Sequence, residues 1–518
     1  MESIMDLERL VQMNEEQVWK EAYQEEIQKL SHLSFEINRL TYQLYATGEQ
    51  PEELQGLLEA RKQTMADPAF KAMLRNWSKY IEDPIWKKRL SLMLNEIEKQ
   101  EIESDSEVLT LKNELEGKLF SKTFEIDETE FNSGQVHSAL MDHPDRAIRR
   151  KLTEAMNDLG EELTEDFRRL IKARNKKAKE FGYSNYYDYK FKAAGLNFHQ
   201  YKEEGLRLFR NSAAVINEWM DRIKERFGYE SLHVYDFLYT ATNYTTVDMS
   251  LFPSDKIETA IEESLAYFGM ELKNTPINVE LLHIPFGGFC IEIAPEDIKL
   301  TINKRNSHLA FASAFHELGH ALYNCFASSK IPEFKELQSV IGHEAMAELF
   351  MTIPYQKEWL VDYFGLNQNE AEQLIESKHL VDLFISLFYF YISLVEYEVY
   401  QNPDGDLQDL ADSLLKDVLG LDGPGQHPAS QAILVSHPAY VQDYIYADGI
   451  RDMLRHYCKI DGMYKQGTVF TKILQEFMEP TERFTWQERV KSICGEDFTF
   501  NYFEQFLVNK SLIEAKKQ

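Results

Sequence analysis

The segment "FHELGHALYNC", from Phe315 to Cys325, carries two histidines four residues apart and a glutamate directly after the first. On an α-helix positions i and i+4 share a face, so His316 and His320 can offer two imidazole nitrogens to one metal ion. Glu317 leaves the helix along a neighbouring line. Its carboxylate can reach a water beside such an ion without binding the ion itself. Zinc lowers the pKa of that water towards neutrality and the glutamate takes the proton, which is the chemistry of hydrolysis. A third ligand is supplied by "SVIGHEAMAELF", where Glu344 lies 24 residues beyond His320 among apolar neighbours. Glu348, one helical turn on, shares its face and can orient a ligand imidazole through a hydrogen bond. Three protein ligands leave one coordination position open, as catalytic zinc sites do. The cofactor expected is a single zinc ion per chain.

These residues need elements to hold them. "LAFASAF" before the motif and "AL" within it bury the helix, and Gly319 admits a second segment at close range at some cost in helix propensity. Just upstream, the helical pattern breaks from Asn278 to Asn303 at "NVELLHIPFGGFCIEIAPEDIKLTIN". "FCIEI" and "IKLTI" alternate apolar and polar residues around a turn at "APED", which predicts a β-hairpin beside the motif helix. Gly287 and Gly288 tolerate unusual dihedrals and close backbone approach. The remainder reads as helix. Residues 1 to about 120 are successive amphipathic helices, with a stop at Gly48 and a fresh start at Pro84. "SEVLTLKNELEGKLFSKTFEIDE" is less periodic and marks a seam, and a charged helix runs from Asp145 to Phe181. The C-terminal third is helical with loops at "QNPDGD" and "LDGPGQHP". The expected fold class is mostly α with a small sheet, with a helical front-end subdomain, 1–125, and a catalytic region, 126–518, either distinct or joined in one continuous domain.

The bulk properties narrow the partners. Of 518 residues 44% are hydrophobic, enough for a large core. A formal net charge of −30 repels a polyanionic backbone, so no nucleic-acid partner is expected. The start, "MESIMDLERLVQMNEEQ", has neither a basic n-region nor an apolar h-region, and so does not read as a signal peptide. The apolar run from Leu383 to Val395 is too short to span a bilayer and reads as a buried helix. Cys290, Cys325, Cys458 and Cys494 form no CxxC pair and read as reduced thiols. A cytoplasmic protein that does not engage a membrane is expected.

"HELGHALY" followed at this distance by "HEAMAE" resembles the zinc oligopeptidases with an HExxH-plus-glutamate site. These include thimet oligopeptidase, oligoendopeptidase F, the angiotensin-converting-enzyme family and the thermostable carboxypeptidase family. "RNKKAKEFGYSNYYDY", from Arg174 to Tyr189, and "PEDIKLTINK" also resemble segments of that group, so the likeness covers roughly residues 140 to 460. It implies a large helical zincin-type peptidase with a deep cleft, acting on short unstructured peptides. It further implies a histidine and tyrosines after the zinc helices, which "SHPAYVQDYIYADG" provides as His437, Tyr440, Tyr444 and Tyr446. Phenols with a pKa near ~10 stay protonated at neutral pH and can donate to an oxyanion. By resemblance of "YIYADG" to the "YxYATG" of the oligoendopeptidase F group, Tyr446 is the first choice as donor and His437 the second, followed by Tyr444 and Tyr440. The glycine-containing strand, with Gly287, Gly288 and Phe289, is implied to pair with an extended substrate backbone. His283, His343 and His427 read as packing, surface or secondary substrate contacts. The resemblance leaves endopeptidase and carboxypeptidase action both open.

Two other readings compete. Glu317–His320 and Glu376–His379 both have the E-x-x-H spacing of di-iron carboxylate proteins, with Glu344 as a further ligand. That oxidoreductase reading leaves His316 without a task and needs a polar segment, "NQNEAEQLIESKH", inside a bundle. A non-catalytic zinc-binding protein has no need of a base beside its first histidine, and structural sites fill all four positions.

Overall fold

The apolar periodicity of the first hundred residues produces helices where it predicts them. The helix Glu16–Thr47 ends at Gly48, whose left-handed φ of 76° lets its amide bond back to the Leu44 carbonyl. Pro84 opens the helix Pro84–Glu103, and the Asp145 side chain caps Arg146–Glu180. The computed structural model describes residues 4–327, 330–421 and 423–515. It is mostly helical, with two small sheets.

The chain forms two compact units, each assembled from separate segments. The first comprises Met1–Glu101, Asp248–Ala371 and Tyr446–Thr499, and the second Ile102–Val247, Glu372–Ile445 and Phe500–Gln518. A division at residue 125 is therefore not how the compact units fall. The front-end helices share a unit with the HExxH segment, and specific contacts explain why. Trp19 stacks on Tyr23 and Trp77 at ring separations of 5.0 and 4.8 Å. Beside this aromatic core the buried Arg89 donates from Nε to both oxygens of the buried Glu333, each at 3.2 Å. Asn38 of Glu16–Thr47 also donates to the Glu292 carbonyl at 2.9 Å. Breaking a buried pair such as Arg89–Glu333 strands a charge, so the front end cannot detach cheaply.

Among the described residues the first sheet is a hairpin of β1 (Thr123–Ile126) and β2 (Thr129–Asn132), turning through Asp127 and Glu128 at positive φ. Each strand is only four residues long, so the seam in helical periodicity was visible but the hairpin was not. The second sheet has the order β3 (Ile277–Leu282), β5 (Asp297–Asn303), β4 (Gly288–Ala294). The antiparallel pair β4–β5 is the expected hairpin, in the register Gly288 to Ile302 with an irregularity between Glu292 and Ala294. β3 was not foreseen. It pairs parallel to β5 and makes β5 the central strand, with Ile298, Leu300 and Ile302 fully buried. The motif-bearing helix packs on β4 and β5, so the sheet does lie beside it.

The helix Gln368–Gln401 contains a window long and apolar enough to cross a membrane, beyond the shorter run read from the sequence. Two-thirds of that window, 67%, is buried within the protein, as in a core helix.

Candidate active site

The motif helix is His308–Phe326, started by Ser307, whose Oγ accepts from the Ala310 amide at 3.1 Å. Phe311, Ala314, Phe315, Leu318, Ala321 and Leu322 on it are buried to 0% exposure, while Leu309 in its first turn faces solvent. The glutamate helix, Val340–Met351, is capped by Ser339 and crosses the motif helix at Gly319. A Cβ placed on Gly319 would stand 2.5 Å from the Met346 carbonyl oxygen and 2.6 Å from the Ala347 Cα. Only glycine allows that approach, which carries Glu344 onto the histidines.

One ligand atom from each of His316, His320 and Glu344 lies within 4.8 Å of the others, and no other such group of three His, Cys, Asp or Glu occurs among the described residues. Glu344 Oε2 stands 3.5 Å from His316 Nε2 and 3.7 Å from His320 Nε2. Ligands about 2.0–2.1 Å from a tetrahedral zinc are separated from one another by roughly 3.4 Å. The donor types and their spacing therefore fit zinc. The di-iron arrangement is not supported, since Glu376 is engaged by Arg222.

Each histidine is held from behind by a different device. His316 Nδ1 is 3.4 Å from Glu348 Oε1, and the other oxygen of Glu348 is 3.4 Å from Arg451. His320 Nδ1 is 2.8 Å from His343 Nδ1, and His343 Nε2 is 3.2 Å from Asn324 Oδ1. The contact of His343 with His320 is one that reading it as packing or surface did not anticipate. The available signal was its position directly before Glu344. Tyr323 stacks edge-on against His343 at 4.7 Å, and its hydroxyl accepts from Arg489, which also donates to Glu482 at 2.9 Å.

Glu317 is 9% exposed, and burial pushes its carboxyl up to about 7 against the opposing pull of His316. Burial draws the His316 imidazole down, but Glu348, Glu317 and Glu344 outweigh it and hold the ring at about 9. His320 is depressed well below the usual range by burial, then by His343 and His316. His343 falls to about 4 through burial and Arg489.

The glycine pair sits against the motif helix. A Cβ on Gly288 would lie 3.0 Å from Glu317 Cγ, and one on Gly287 would lie 2.9 Å from Ser313 Oγ. Gly288 begins the edge strand β4 directly beside Glu317. Phe289 turns to the opposite side, where its ring meets Tyr45 at 5.6 Å and Tyr42 at 6.1 Å. Tyr446 belongs to the first unit and is buried, with its ring 5.9 Å from Trp486 and 5.4 Å from Phe498. His437, Tyr440 and Tyr444 belong to the second. There the hydroxyls of Tyr440 and Tyr444 are 3.2 Å apart, and His437 is exposed. His427 is structural: its Nδ1 accepts from the Ala429 amide at 3.2 Å and its ring fills the space beside Gly160. His283 is exposed.

No family model matches the chain, and no curated protein matches it in sequence. Solved structures do match in fold. The crystal structure of the M32 carboxypeptidase from Deinococcus radiodurans R1 superposes with a TM-score of 0.60 at 15% identity, over 93% of this chain and 97% of that one. PZ peptidase A, solved with an inhibitor, superposes with a TM-score of 0.72 at 14% identity, over 99% of this chain and 96% of that one. At these identities the likeness concerns the backbone, and along nearly its whole length the chain has the fold of these two peptidases.

Proposed function

We propose that the protein is a zinc-dependent peptidase that hydrolyses short unstructured peptides. The observation that carries this reading is the convergence of His316, His320 and Glu344 within 4.8 Å, with Glu317 buried next to them. These three side chains would hold the ion, and a bound zinc would supply Lewis-acid activation of water and of the scissile carbonyl at neutral pH. Glu317 accepts the proton of the attacking water on its carboxylate and later returns it to the leaving amine. The start of β4, with Gly287 and Gly288, offers backbone groups to an extended peptide close to Glu317, as edge strands do in β-augmentation. The oxyanion donor is sought among Tyr446, His437, Tyr444 and Tyr440. For the tyrosine that fills the role, exchange to Phe lowers kcat by about 100-fold with little change in KM.

The fold shared with a carboxypeptidase and with PZ peptidase A supports the broad class. Its branch, whether thermostable carboxypeptidase or thimet oligopeptidase and oligoendopeptidase F, follows from which bond is cut. Cytoplasmic residence and short peptides as partners, with neither nucleic acid nor a membrane engaged, complete the proposal, in keeping with the acidic charge. The test is a short-peptide library with products mapped by mass spectrometry. Hydrolysis should stop on chelation and return with one equivalent of zinc. Single residues shed from the C-terminus mark a carboxypeptidase, and internal cuts an oligopeptidase. A zinc-loaded chain that cleaves no peptide would overturn the reading.

A further inference from the structure

The two candidate ligand histidines differ in what stands behind them. Glu348 is a carboxylate and can only accept from His316, so the direction of that hydrogen bond is fixed. His343 is an imidazole and can donate or accept, so His320 alone does not fix its own tautomer. The next residue in the chain of contacts does. Asn324 Oδ1, 3.2 Å from His343 Nε2, can only accept. The amide turns Oδ1, and not its NH2, towards the ring. His343 therefore carries its proton on Nε2 and presents a lone pair at Nδ1. His320 Nδ1, 2.8 Å away, must donate to it. His320 Nε2 is left as a bare lone pair on the side of Glu344, from which it is 3.7 Å distant.

We infer that Asn324 and His343 are positioning residues: their hydrogen-bond chain locks His320 in the Nδ1–H tautomer, so that Nε2 is ready to bind the metal. This deepens the zinc-peptidase reading and rests on it for its purpose, though not for its test. The amide orientation decides the outcome. Were Asn324 reversed, its NH2 would donate to His343 Nε2, His343 would donate from Nδ1, and His320 would carry its proton on Nε2, where it blocks a ligand bond. Partners behind ligand histidines contribute about 10–100-fold to metal affinity.

The direct test uses the full chain labelled with 15N at histidine, in metal-free and zinc-loaded form, with long-range 1H–15N correlations reading each ring. The expected pattern is His320 protonated at Nδ1 and His343 at Nε2, already present without metal. A metal-free His320 protonated at Nε2, or an even mixture, overturns the inference. Zinc affinity by chelator competition gives the second measurement. Asn324→Leu should weaken binding at least tenfold, whereas Asn324→Asp, which keeps the acceptor, should bind as the parent does. Equal losses in both variants would show a packing role and refute the relay, with thermal melting confirming that each is folded. A parent chain that binds no zinc would defeat the proposed function instead, while the tautomers read on metal-free protein still decide the relay.

Discussion

Both units bury ionisable groups, and they do so to opposite ends. In the second unit the fully buried Arg174 donates to the carbonyls of Leu434 and Val435 at 3.1 and 2.6 Å and to the Tyr400 hydroxyl at 3.2 Å. Nearby, Glu396 accepts from the Ala439 amide at 2.8 Å, holding that residue at a left-handed φ of 51°. These ionisable groups are answered by peptide groups between Leu434 and Ala439 and by the Tyr400 hydroxyl, and they fix the shape of that segment. In the first unit His316, His320 and Glu344 face one another instead, around one point. Each is backed by polar groups or by a close helix crossing. Burial of ionisable groups alone therefore does not mark a candidate metal site. Convergence of unlike donors on one point does, and the Glu396 network shows what burial looks like without it.

The contrast can be broken most decisively at Glu317. Glu317→Gln keeps the shape and leaves His316, His320 and Glu344 in place, but it cannot accept a proton as the proposed mechanism requires. Peptidase activity should fall by about 10²–10⁴-fold while one zinc per chain remains by metal analysis. Retention of full activity would remove the first unit's claim to chemistry.

Two glycines separate site from scaffold. Gly319→Ala places a Cβ 2.5 Å from the Met346 carbonyl oxygen, forcing the two helices apart, and should lower stability by about 1–3 kcal/mol and weaken zinc retention during dialysis against a chelator. Gly205→Ala in the second unit meets the Phe390 ring at 2.0 Å, and should also lower the melting temperature but leave zinc retention as in the parent. Equal zinc loss in both would mean that the ligand cluster reports global stability only.

The smallest effect concerns pH. Burial raises the Glu396 carboxyl to about 8, against the pull of the Ala439 amide and Arg174, so folding favours its protonated form. A carboxyl whose folded pKa exceeds its unfolded one stabilises fully below the unfolded value, near ~4.3, and loses that contribution as pH rises through about 8. Glu396→Gln keeps an acceptor for the Ala439 amide and cannot ionise. Its melting temperature relative to the parent should therefore rise between pH 5 and pH 9, by roughly a few degrees. A constant difference across that range would show that Glu396 does not titrate in the folded protein.

The motif helix and the meeting of His316, His320 and Glu344 were legible because metal chemistry would confine them to a short, periodic pattern: two histidines one turn apart, and a glutamate among apolar residues. Gly319 was legible as a point of close approach, and Gly48 and Pro84 as helix boundaries. Other features escaped because their cause is tertiary. β3 becomes a strand by lying parallel to β5, a pairing no local alternation announces. His343 has no signature of its own until the glutamate helix brings it to His320 and Asn324. The interleaved units escaped because Arg89 and Glu333, which tie the front end to the segment before the glutamate helix, lie 244 positions apart.

The first unit closes only with its third segment, Tyr446–Thr499, which brings Arg451 to Glu348 and Arg489 to Tyr323. A ribosome adding about 5–20 residues per second needs on the order of ten seconds to pass from the motif helix to these arginines. Throughout that interval the nascent chain carries His316, His320, Glu344 and Glu317 without the guanidinium groups that contact their neighbours. A chain released after Ile445 should fail to retain zinc in dialysis, and peptide hydrolysis should begin only after synthesis has passed the last segment. The order of segments along the chain thus sets the earliest moment at which this cluster can be complete.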